Sequence, residues 1–207
     1  MNKITEIKTI VNEGESILKE KGSSFYAFAF SVISLKDGTE IMSGIRKKYY
    51  DASHFCYALK LIDESAKYDD DGEPNGTAGI RILRAIEHFE LYNILVVVIR
   101  YFGGTKLGIG HLGKAYYMAS INAIKSTEII IKNIYKNVFV SLSYTDVNII
   151  KNILLKYYVK FGKSKFETNA EINFFCKVDL LDELLNKVKD ATKGNCTIII
   201  EPKELLL

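Results

Sequence analysis

Apolar and polar residues alternate along the first part of the chain, and this alternation predicts β-strands. The segments KITEIKTIV (residues 3–11) and ESILKEK (residues 15–21) fit two strands joined by a turn near Asn12 to Gly14. Residues 23–34, SSFYAFAFSVIS, are rich in aromatic and β-branched side chains, which favours a third strand. The chain is therefore expected to begin with a strand-rich region.

The pattern then changes several times. Residues 36–50 repeat their apolar positions at helical spacing, and residues 53–62 alternate again and predict a strand. Between residues 63 and 79 there is no apolar period and turn-forming residues are concentrated, so a loop is predicted. A helix over residues 77–89 follows, and then a continuous apolar run, ILVVVI, at residues 94–99. Such a run is typical of a central strand that is covered on both faces.

In the last third of the chain, the spacing of apolar positions again changes between that of a strand and that of a helix. Residues 135–144 predict a strand, and the next segment predicts a helix with Thr145 as its N-cap. Two strands over residues 162–178, a second helix and a strand ending at Pro202 follow. The order β-α-β-β-α-β is that of a ferredoxin-like domain.

Together these patterns predict an α+β fold class with two domains. The N-terminal α+β domain is assigned to residues 1–134, and the C-terminal ferredoxin-like domain to residues 135–207. The chain has 207 residues and is 48% hydrophobic, which is sufficient for two small cores.

Composition narrows the class of protein only slightly. The formal net charge of +3 neither requires nor excludes a nucleic-acid partner, and nothing indicates specificity for DNA. No apolar run approaches the roughly 20 residues that span a bilayer, and the first residues lack the apolar region of a signal peptide. No membrane contact is therefore expected. Three widely spaced cysteines, Cys56, Cys176 and Cys196, fit the reduced thiols of a cytoplasmic protein.

A glycine-rich segment, RYFGGTKLGIGHLGKAY at residues 100–116, contains two phosphate-binding patterns. Its glycines spell G-x-G-x-x-G and also, over residues 108–114, G-x-x-x-x-G-K. A dinucleotide-binding fold needs these glycines directly after its first strand, whereas here they begin well beyond the predicted strand end near Phe102. A P-loop needs serine or threonine after the lysine, and Ala115 stands there. We therefore expect neither a nucleotide site nor any other cofactor.

The glycine loop, defined as residues 100–113, can still bind an anion. A loop that leads into a helix exposes backbone N–H groups and the positive end of the helix dipole. Arg100 and Lys106 would add positive charge, so a phosphate of RNA or a carboxylate of a protein partner would fit. The alternative is that the glycines only permit positive φ angles and close packing.

The acidic loop, defined as residues 69–79, precedes the glycine loop and carries four carboxylates. They belong to Asp69, Asp70, Asp71 and Glu73. These side chains could face the basic residues of the glycine loop, bind a basic partner or form a solvated turn. Their spacing is not that of an EF-hand, and no metal ion is expected.

Two further pairs of residues are candidates for chemistry or recognition. His54 and Cys56 share one face of a predicted strand, but the chain has no CxxC or HxxxH motif to complete a metal or nucleophile site. Tyr101 and Phe102 could stack on a base, or they could fill the core beneath the glycine loop.

Two stretches together are similar to the signature of the IMPACT family, whose bacterial members are the YigZ-like proteins. They are DDDGEPNGTAG, at residues 69–79, and VVVIRYFGGTKLGIGHLGKAY, at residues 96–116. KGSSFYA and DASHFCYA, at residues 21–27 and 51–58, resemble two further segments of the family. The resemblance covers essentially the whole chain.

The chain departs from the family pattern at several positions. His111 stands where the family has glycine and Gly113 where it has an apolar residue, so both phosphate-binding patterns arise from local substitutions. After the acidic loop the family has a basic residue and then proline, whereas this chain has Ile80 and Arg81. Ser24 stands where the family often has a basic residue. These changes remove or relocate positive charge.

The resemblance implies an N-terminal domain like the second domain of a small-subunit ribosomal protein and a C-terminal domain like the last domain of elongation factor G. It also implies a function linked to translation, because eukaryotic relatives regulate translation by binding the activator of a starvation-responsive initiation-factor kinase. We therefore expect a non-catalytic regulatory protein that contacts RNA, the ribosome or a translation-associated protein. The alternative is a hydrolase of a small phosphorylated or peptide substrate that uses His54 and the acidic loop.

The expected binding site combines the acidic loop, the glycine loop and the strand that carries His54. No residue is assigned a catalytic or metal-binding role. The site residues are His54, Asp70, Asp71, Glu73, Gly76, Thr77, Arg100, Tyr101, Phe102, Gly103, Gly104, Lys106, Gly108 and Gly110.

Overall fold

The computed structural model of the chain describes residues 4–62, 66–166 and 169–207. These ranges contain both helices and strands. In chain order they are β1 (Glu6–Ile10), β2 (Gly14–Glu20), β3 (Ser23–Ser31), α1 (Leu35–Lys48), β4 (His54–Lys60), β5 (Lys67–Asp69), α2 (Gly79–His88), β6 (Ile94–Tyr101), α3 (Ile109–Lys125), β7 (Ile129–Leu142), α4 (Val147–Lys156), β8 (Lys160–Phe161), β9 (Lys165–Phe166), β10 (Ala170–Lys177), α5 (Leu181–Ala191) and β11 (Cys196–Leu206).

The chain packs as two units. One unit is Lys8–Ile131, and the other is Lys132–Leu207 together with the segment up to Ile7. The early segment groups with the second unit because it pairs there: the backbone N–H of Ile134 donates to the carbonyl of Thr5 at 2.9 Å. The boundary expected after residue 134 lies near the division at residue 131, but the pairing of the first strand could not be read from the local pattern.

The first unit is built on a five-stranded sheet in the order β2-β3-β6-β4-β5. β6 lies at its centre and is buried along its whole length except at Tyr101, which confirms the central strand predicted from the apolar run. One face of the sheet packs against α2 and α3, and the other packs against α1. The register places His54 opposite Arg100, and Ser24 opposite Tyr101. Three strands therefore meet where the glycine loop begins.

The acidic loop contains a short strand that the sequence does not predict. β5 pairs with the edge of β4, where Asp69 lies opposite Tyr57. Three residues are too few to show a period of two, so the neighbouring strand decides their conformation. The helix predicted from Thr77 begins instead at Gly79, because the N–H and hydroxyl of Thr77 both bond to the carbonyl of Pro74 in a turn.

The second unit has the predicted order β-α-β-β-α-β. Its sheet has the order β1-β7-β10-β8, and β11 also pairs with β7; β10 and β11 are both antiparallel to β7. The strand predicted between the helix and β10 is divided into β8 and β9, which both pair with β10. This arrangement confirms the α+β fold class with a ferredoxin-like second domain.

Two details of the second unit differ from the sequence-based expectation. The N-cap of α4 is Asp146, not Thr145, whose hydroxyl is bonded to that of Ser143 at 2.5 Å. The last strand does not end at Pro202 but continues to Leu206. Its register against β7 shifts between Ile200 and Glu204, around the proline. Such an irregularity accommodates a proline, which has no N–H to donate to the ladder.

Candidate functional site at the acidic and glycine loops

Asp70 organises the acidic loop by accepting hydrogen bonds from its backbone. Its Oδ1 accepts from the N–H groups of Ala78 and Gly79 at 2.9 and 2.8 Å, and its Oδ2 accepts from that of Gly76 at 2.8 Å. The first two donors lie at the start of α2, where N–H groups have no partner within the helix. Because the N-cap residue Ala78 has no side-chain acceptor, Asp70 supplies the capping carboxylate.

Asp71 connects the acidic loop to α1 and β4. Its Oδ1 pairs with Nη2 of Arg46 at 2.8 Å, and its Oδ2 accepts from the N–H of Phe55 at 2.6 Å. Its carbonyl lies 2.8 Å from Nδ1 of His54. Since a carbonyl can only accept, Nδ1 of His54 is the donor of this hydrogen bond. Both oxygens of the carboxylate are thus engaged within the unit.

Glu73 and Arg100 form a buried ion pair beneath the two loops. Arg100 Nη1 lies 2.6 Å from Glu73 Oε1, and the two residues are 5% and 8% exposed. The hydroxyl of Tyr116 on α3 donates to the same oxygen at 2.7 Å, and burial raises the pKa of this phenol. Arg100 Nη2 donates to Oγ of Ser23 at 3.3 Å. The expectation that Arg100 adds positive charge for an anion on the glycine loop is therefore corrected: its charge is buried and paired.

His54 and Cys56 lie beside this ion pair. His54 Nε2 is 3.9 Å from Glu73 Oε1. The buried thiol of Cys56 donates to the carbonyl of Asp70 at 3.0 Å and lies 3.4 Å from the hydroxyl of Tyr116. Burial raises the pKa of the Cys56 thiol, so at neutral pH it is protonated and a weak nucleophile.

The glycine loop begins with a close approach between two backbone segments. A Cβ atom on Gly103 would lie 1.9 Å from the carbonyl carbon of Gly22 and 2.3 Å from the nitrogen of Ser23. The N–H of Gly103 also donates to Oγ of Ser23 at 3.2 Å. Glycine at this position is therefore required by packing.

Most of the remaining glycine loop is exposed, whereas Leu107, Leu112 and Gly113 are buried. Gly104 and Gly108 have φ angles of 82° and 77°, and a Cβ atom on either of them or on Gly110 would meet no atom within 4 Å. Gly108 is the N-cap of α3, whose first turn carries no acidic side chain. Lys106 is exposed in the same loop. The start of α3 therefore presents backbone N–H groups and the positive end of its dipole to solvent.

Tyr101 and Phe102 have different surroundings. The Tyr101 hydroxyl donates to Asp51 at 2.7 Å, and the ring packs edge-on against Tyr26 with centroids 5.7 Å apart. The hydrogen bond to Asp51 is the main cause that raises the pKa of Tyr101 to about 12. Phe102 is 50% exposed, and its ring centroid lies 5.5 Å from the guanidinium of Arg100. Of the two rings, Phe102 is the one that a base could reach.

Sequence reasoning misses Tyr116 and Ser23, which hold the buried ion pair. The available signal for Tyr116 is its place one helical turn after Gly113, on the face of α3 that packs on the sheet. A Cβ atom on Gly113 would lie 3.2 Å from Nε of Arg81. Gly113 and Arg81 therefore lie in contact, and the glycine leaves room for the arginine.

Among the residues that the structure describes, no three His, Cys, Asp or Glu side chains are placed to hold a metal ion. Their three cysteines are free thiols. None of the helices in the same residues is both long and apolar enough to cross a membrane.

Comparison with known proteins places the chain among its relatives. A sequence model described as the Impact N-terminal domain matches residues 21–124. The Bacillus subtilis protein named IMPACT family member YvyE is 30% identical over 202 residues, which is 92% of each chain. Escherichia coli YigZ is 37% identical over 94 residues, 42% of this chain and 46% of that one. Human Protein IMPACT is 32% identical over 98 residues, 44% of this chain and 30% of that one.

A solved structure shares the fold. It is described as a crystal structure of a hypothetical protein, and it aligns with a TM-score of 0.68 at 22% identity, covering 97% of this chain and 100% of that one. The chain is thus a two-domain α+β protein whose first domain carries the Impact N-terminal signature. It belongs to the IMPACT family, as the resemblance of its two loops predicts.

Proposed function

We propose that this chain is a non-catalytic regulatory protein of the cytoplasm that binds RNA of the translation machinery through its glycine loop. The observation that carries the proposal is a contrast in exposure. Three of the four carboxylates of the acidic loop, those of Asp70, Asp71 and Glu73, bond to groups of their own unit, whereas Phe102, Lys106 and the start of α3 are exposed. RNA offers phosphates to the lysine and the N–H groups, and unstacked bases to the phenyl ring.

The electrostatics of the acidic loop are compatible with this partner. The charge of Asp70 faces the N-terminus of α2, that of Asp71 is paired with Arg46, and that of Glu73 is paired with Arg100. Local neutralisation of this kind reduces the repulsion that a phosphate would otherwise meet. The exposed Lys106 and the dipole of α3 contribute positive potential at the glycine loop, which the Glu20 carboxylate, 4.0 Å from Nδ1 of His111, partly offsets.

The link to translation rests on membership of the IMPACT family. The resemblance described above implies that eukaryotic members of this family regulate translation. A translation-associated protein is the second candidate partner, because Ile109 in the first turn of α3 is 68% exposed and Phe102 is 50% exposed. Exposed apolar side chains of this kind are common at the centres of protein interfaces.

The hydrolase alternative has less support. A hydrolase requires a base and a nucleophile. Burial raises the pKa of the Cys56 thiol and so keeps this candidate nucleophile protonated. Glu73 is held by two donors, Arg100 and Tyr116, so its carboxylate is not directed at a substrate.

RNA binding is tested by fluorescence anisotropy with single-stranded RNA at several salt concentrations. Lys106→Ala should weaken binding and reduce the slope of log affinity against log salt by about one unit, because one phosphate contact is lost. Phe102→Ala should weaken binding by about 1–3 kcal/mol with little change in slope, because a stacked base is lost and no charge is removed.

Two matched variants control for the general effect of removing a lysine. Lys125→Ala, at the other end of α3, should bind as the wild type does, and Lys114→Ala should have little effect. If Lys106→Ala and Phe102→Ala both retain the affinity and salt slope of the wild type, RNA does not bind at the glycine loop. The protein partner would then be the better candidate.

A further inference from the structure

A group of partly exposed aromatic rings lies on the face of the sheet that packs against α1. Side chains alternate along β3, so Phe25 faces α3 while Phe28 and Phe30 face α1. The rings of Phe28 and Phe30 are stacked with centroids 6.3 Å apart, and Phe28 lies 5.7 Å from the ring of Tyr49 at the end of α1. Because α1 covers this face only partly, the three rings remain partly exposed.

These rings line an open cavity of about 510 Å³ between α1 and the β2–β3 hairpin. That volume lies within the range of roughly 300–1,000 Å³ that small-molecule sites occupy. Gly44 forms part of the helical wall, and a Cβ atom on it would meet nothing within 4 Å. The lining of the cavity also includes Glu13, Glu15 and Lys48.

The charged groups at the cavity favour a cation. Glu13 and Glu15 are exposed, and neither carboxylate has a hydrogen-bond or ion-pair partner within the described part of the chain. The third charged group is Lys48, whose ammonium lies 5.3 Å above the ring of Tyr49. Two unpaired carboxylates thus face the cavity with one ammonium, which is already placed on an aromatic face.

We propose that this cavity binds an organic cation, specifically an ammonium group carried on an alkyl chain. The electron-rich faces of the rings attract a cation, the alkyl chain is removed from water against the phenyl groups, and the carboxylates complete the neutralisation. A free polyamine and a lysine side chain of a protein share this chemistry. The site is on the opposite face of the sheet from the buried Glu73–Arg100 pair and does not depend on the proposed RNA contact.

The decisive variant is Gly44→Leu, which should fill the cavity without disturbing the fold. The added side chain meets no neighbouring atom at its Cβ, and replacing an exposed helical glycine increases helix propensity, so the melting temperature should stay the same or rise. Ser43→Leu is the matched control, because it adds the same side chain to the exposed neighbouring position, which does not line the cavity.

Binding is measured by isothermal titration calorimetry of the full chain with spermidine, with a blocked oligolysine peptide and with a neutral diol of similar length. The wild type should bind one or both amines and not the diol. Gly44→Leu should lose binding, and Glu13→Gln combined with Glu15→Gln should weaken it by about tenfold or more. Lys48→Gln should strengthen binding, because it removes a competing ammonium, and Ser43→Leu should leave it unchanged.

Binding of the peptide alone assigns the source of the cation to a protein, and binding of spermidine shows that a free amine is accepted. The proposal is overturned if neither amine binds, if the diol binds equally well, or if folded Gly44→Leu binds as the wild type does. These results are independent of RNA affinity, so the cavity and the glycine loop are tested separately.

Discussion

The acidic loop and the glycine loop are both rich in residues that could bind a ligand, and they direct those residues differently. In the acidic loop, the carboxylates of Asp70, Asp71 and Glu73 all bond to groups of their own unit. In the glycine loop, Phe102 and Lys106 remain exposed. The loop with more charge in the sequence therefore presents less of it to a partner.

The difference has a physical cause in the partners available to each loop. The acidic loop is adjacent to the N-terminus of α2, to Arg46 and to Arg100, and each offers strong donors to a carboxylate. The start of α3 has no acidic side chain in its first turn and no side-chain cap, and the Glu20 carboxylate that lies near it is 4.0 Å from Nδ1 of His111. The acidic loop is thus held by contacts within its own unit, whereas most of the glycine loop remains exposed, as the proposed binding role requires.

The largest expected effect is on the buried ion pair. Glu73→Ala should lower the free energy of unfolding by about 3–5 kcal/mol, because it leaves the charge of Arg100 buried without its partner. Urea denaturation measures this change. The double variant Glu73→Leu with Arg100→Met should be less destabilised than Glu73→Ala, since no isolated charge remains. A loss below about 1 kcal/mol for Glu73→Ala would mean that the acidic loop does not depend on this pair.

The second prediction compares two glycines of the glycine loop, one in close contact with another backbone segment and one with open space around it. Gly103→Ala should destabilise the protein by about 3 kcal/mol, because its Cβ would overlap the backbone of Gly22 and force a shift. Gly110→Ala should be neutral or slightly stabilising, since its Cβ meets nothing and it lies in a helix. Thermal melts of both variants make the comparison. Equal melting temperatures would show that the close approach to Gly22 is not rigid.

A smaller effect is expected at the cap of α2. Asp70→Ala should cost about 2 kcal/mol, because three backbone N–H groups lose their acceptor. Asp70→Asn should cost less, because one side-chain oxygen remains. Asp69→Ala is the control, since Asp69 accepts one hydrogen bond, from the N–H of Asp71 at 2.6 Å. Equal losses in chemical denaturation for the Asp69 and Asp70 alanine variants would contradict a capping role for Asp70.

The smallest effect concerns pH at the start of the glycine loop. The folded-state pKa of Tyr101, about 12, lies above the ordinary value of 10.0, so the folded protein holds this proton more tightly than the unfolded chain does. The resulting stabilisation is present below pH 10 and is lost as the pH rises from 10 to 12. The stability advantage of the wild type over Tyr101→Phe should therefore shrink across that window, as measured by urea denaturation. An advantage that does not change with pH would argue against the bond to Asp51.

The sequence predicts the fold well where a single element carries its own pattern. The continuous apolar run of β6 and the β-α-β-β-α-β order of the second unit are confirmed. β5 and the pairing of the first strand are not predicted, because a short or edge segment takes its conformation from a neighbour distant in the chain. The start of α2 differs from its predicted position because the turn at Thr77 and the cap from Asp70 depend on contacts outside the helix.

For the candidate site, the sequence identifies the two loops but not the direction of their side chains. Arg100 is expected to meet an anion and is instead buried against Glu73. Tyr116, which donates to the same carboxylate, ends the glycine-rich segment but lies 43 positions from Glu73 in the chain, so no local pattern indicates their contact. Local pattern reports which residue types are present, whereas burial and hydrogen-bond partners depend on which elements pack together.

By itself, the sequence of this IMPACT family member determined its α+β class, its family and the two loops that characterise it, because periodicity and motif spacing are local properties of a chain. Tertiary structure alone decided that Gly103 lies against Gly22, that Gly113 leaves room for Arg81, and that the carboxylates are directed inward. It also formed the aromatic cavity beside α1. The physical reason is the same in each case: charge neutralisation, close packing and exposure arise only when segments far apart in the chain come into contact.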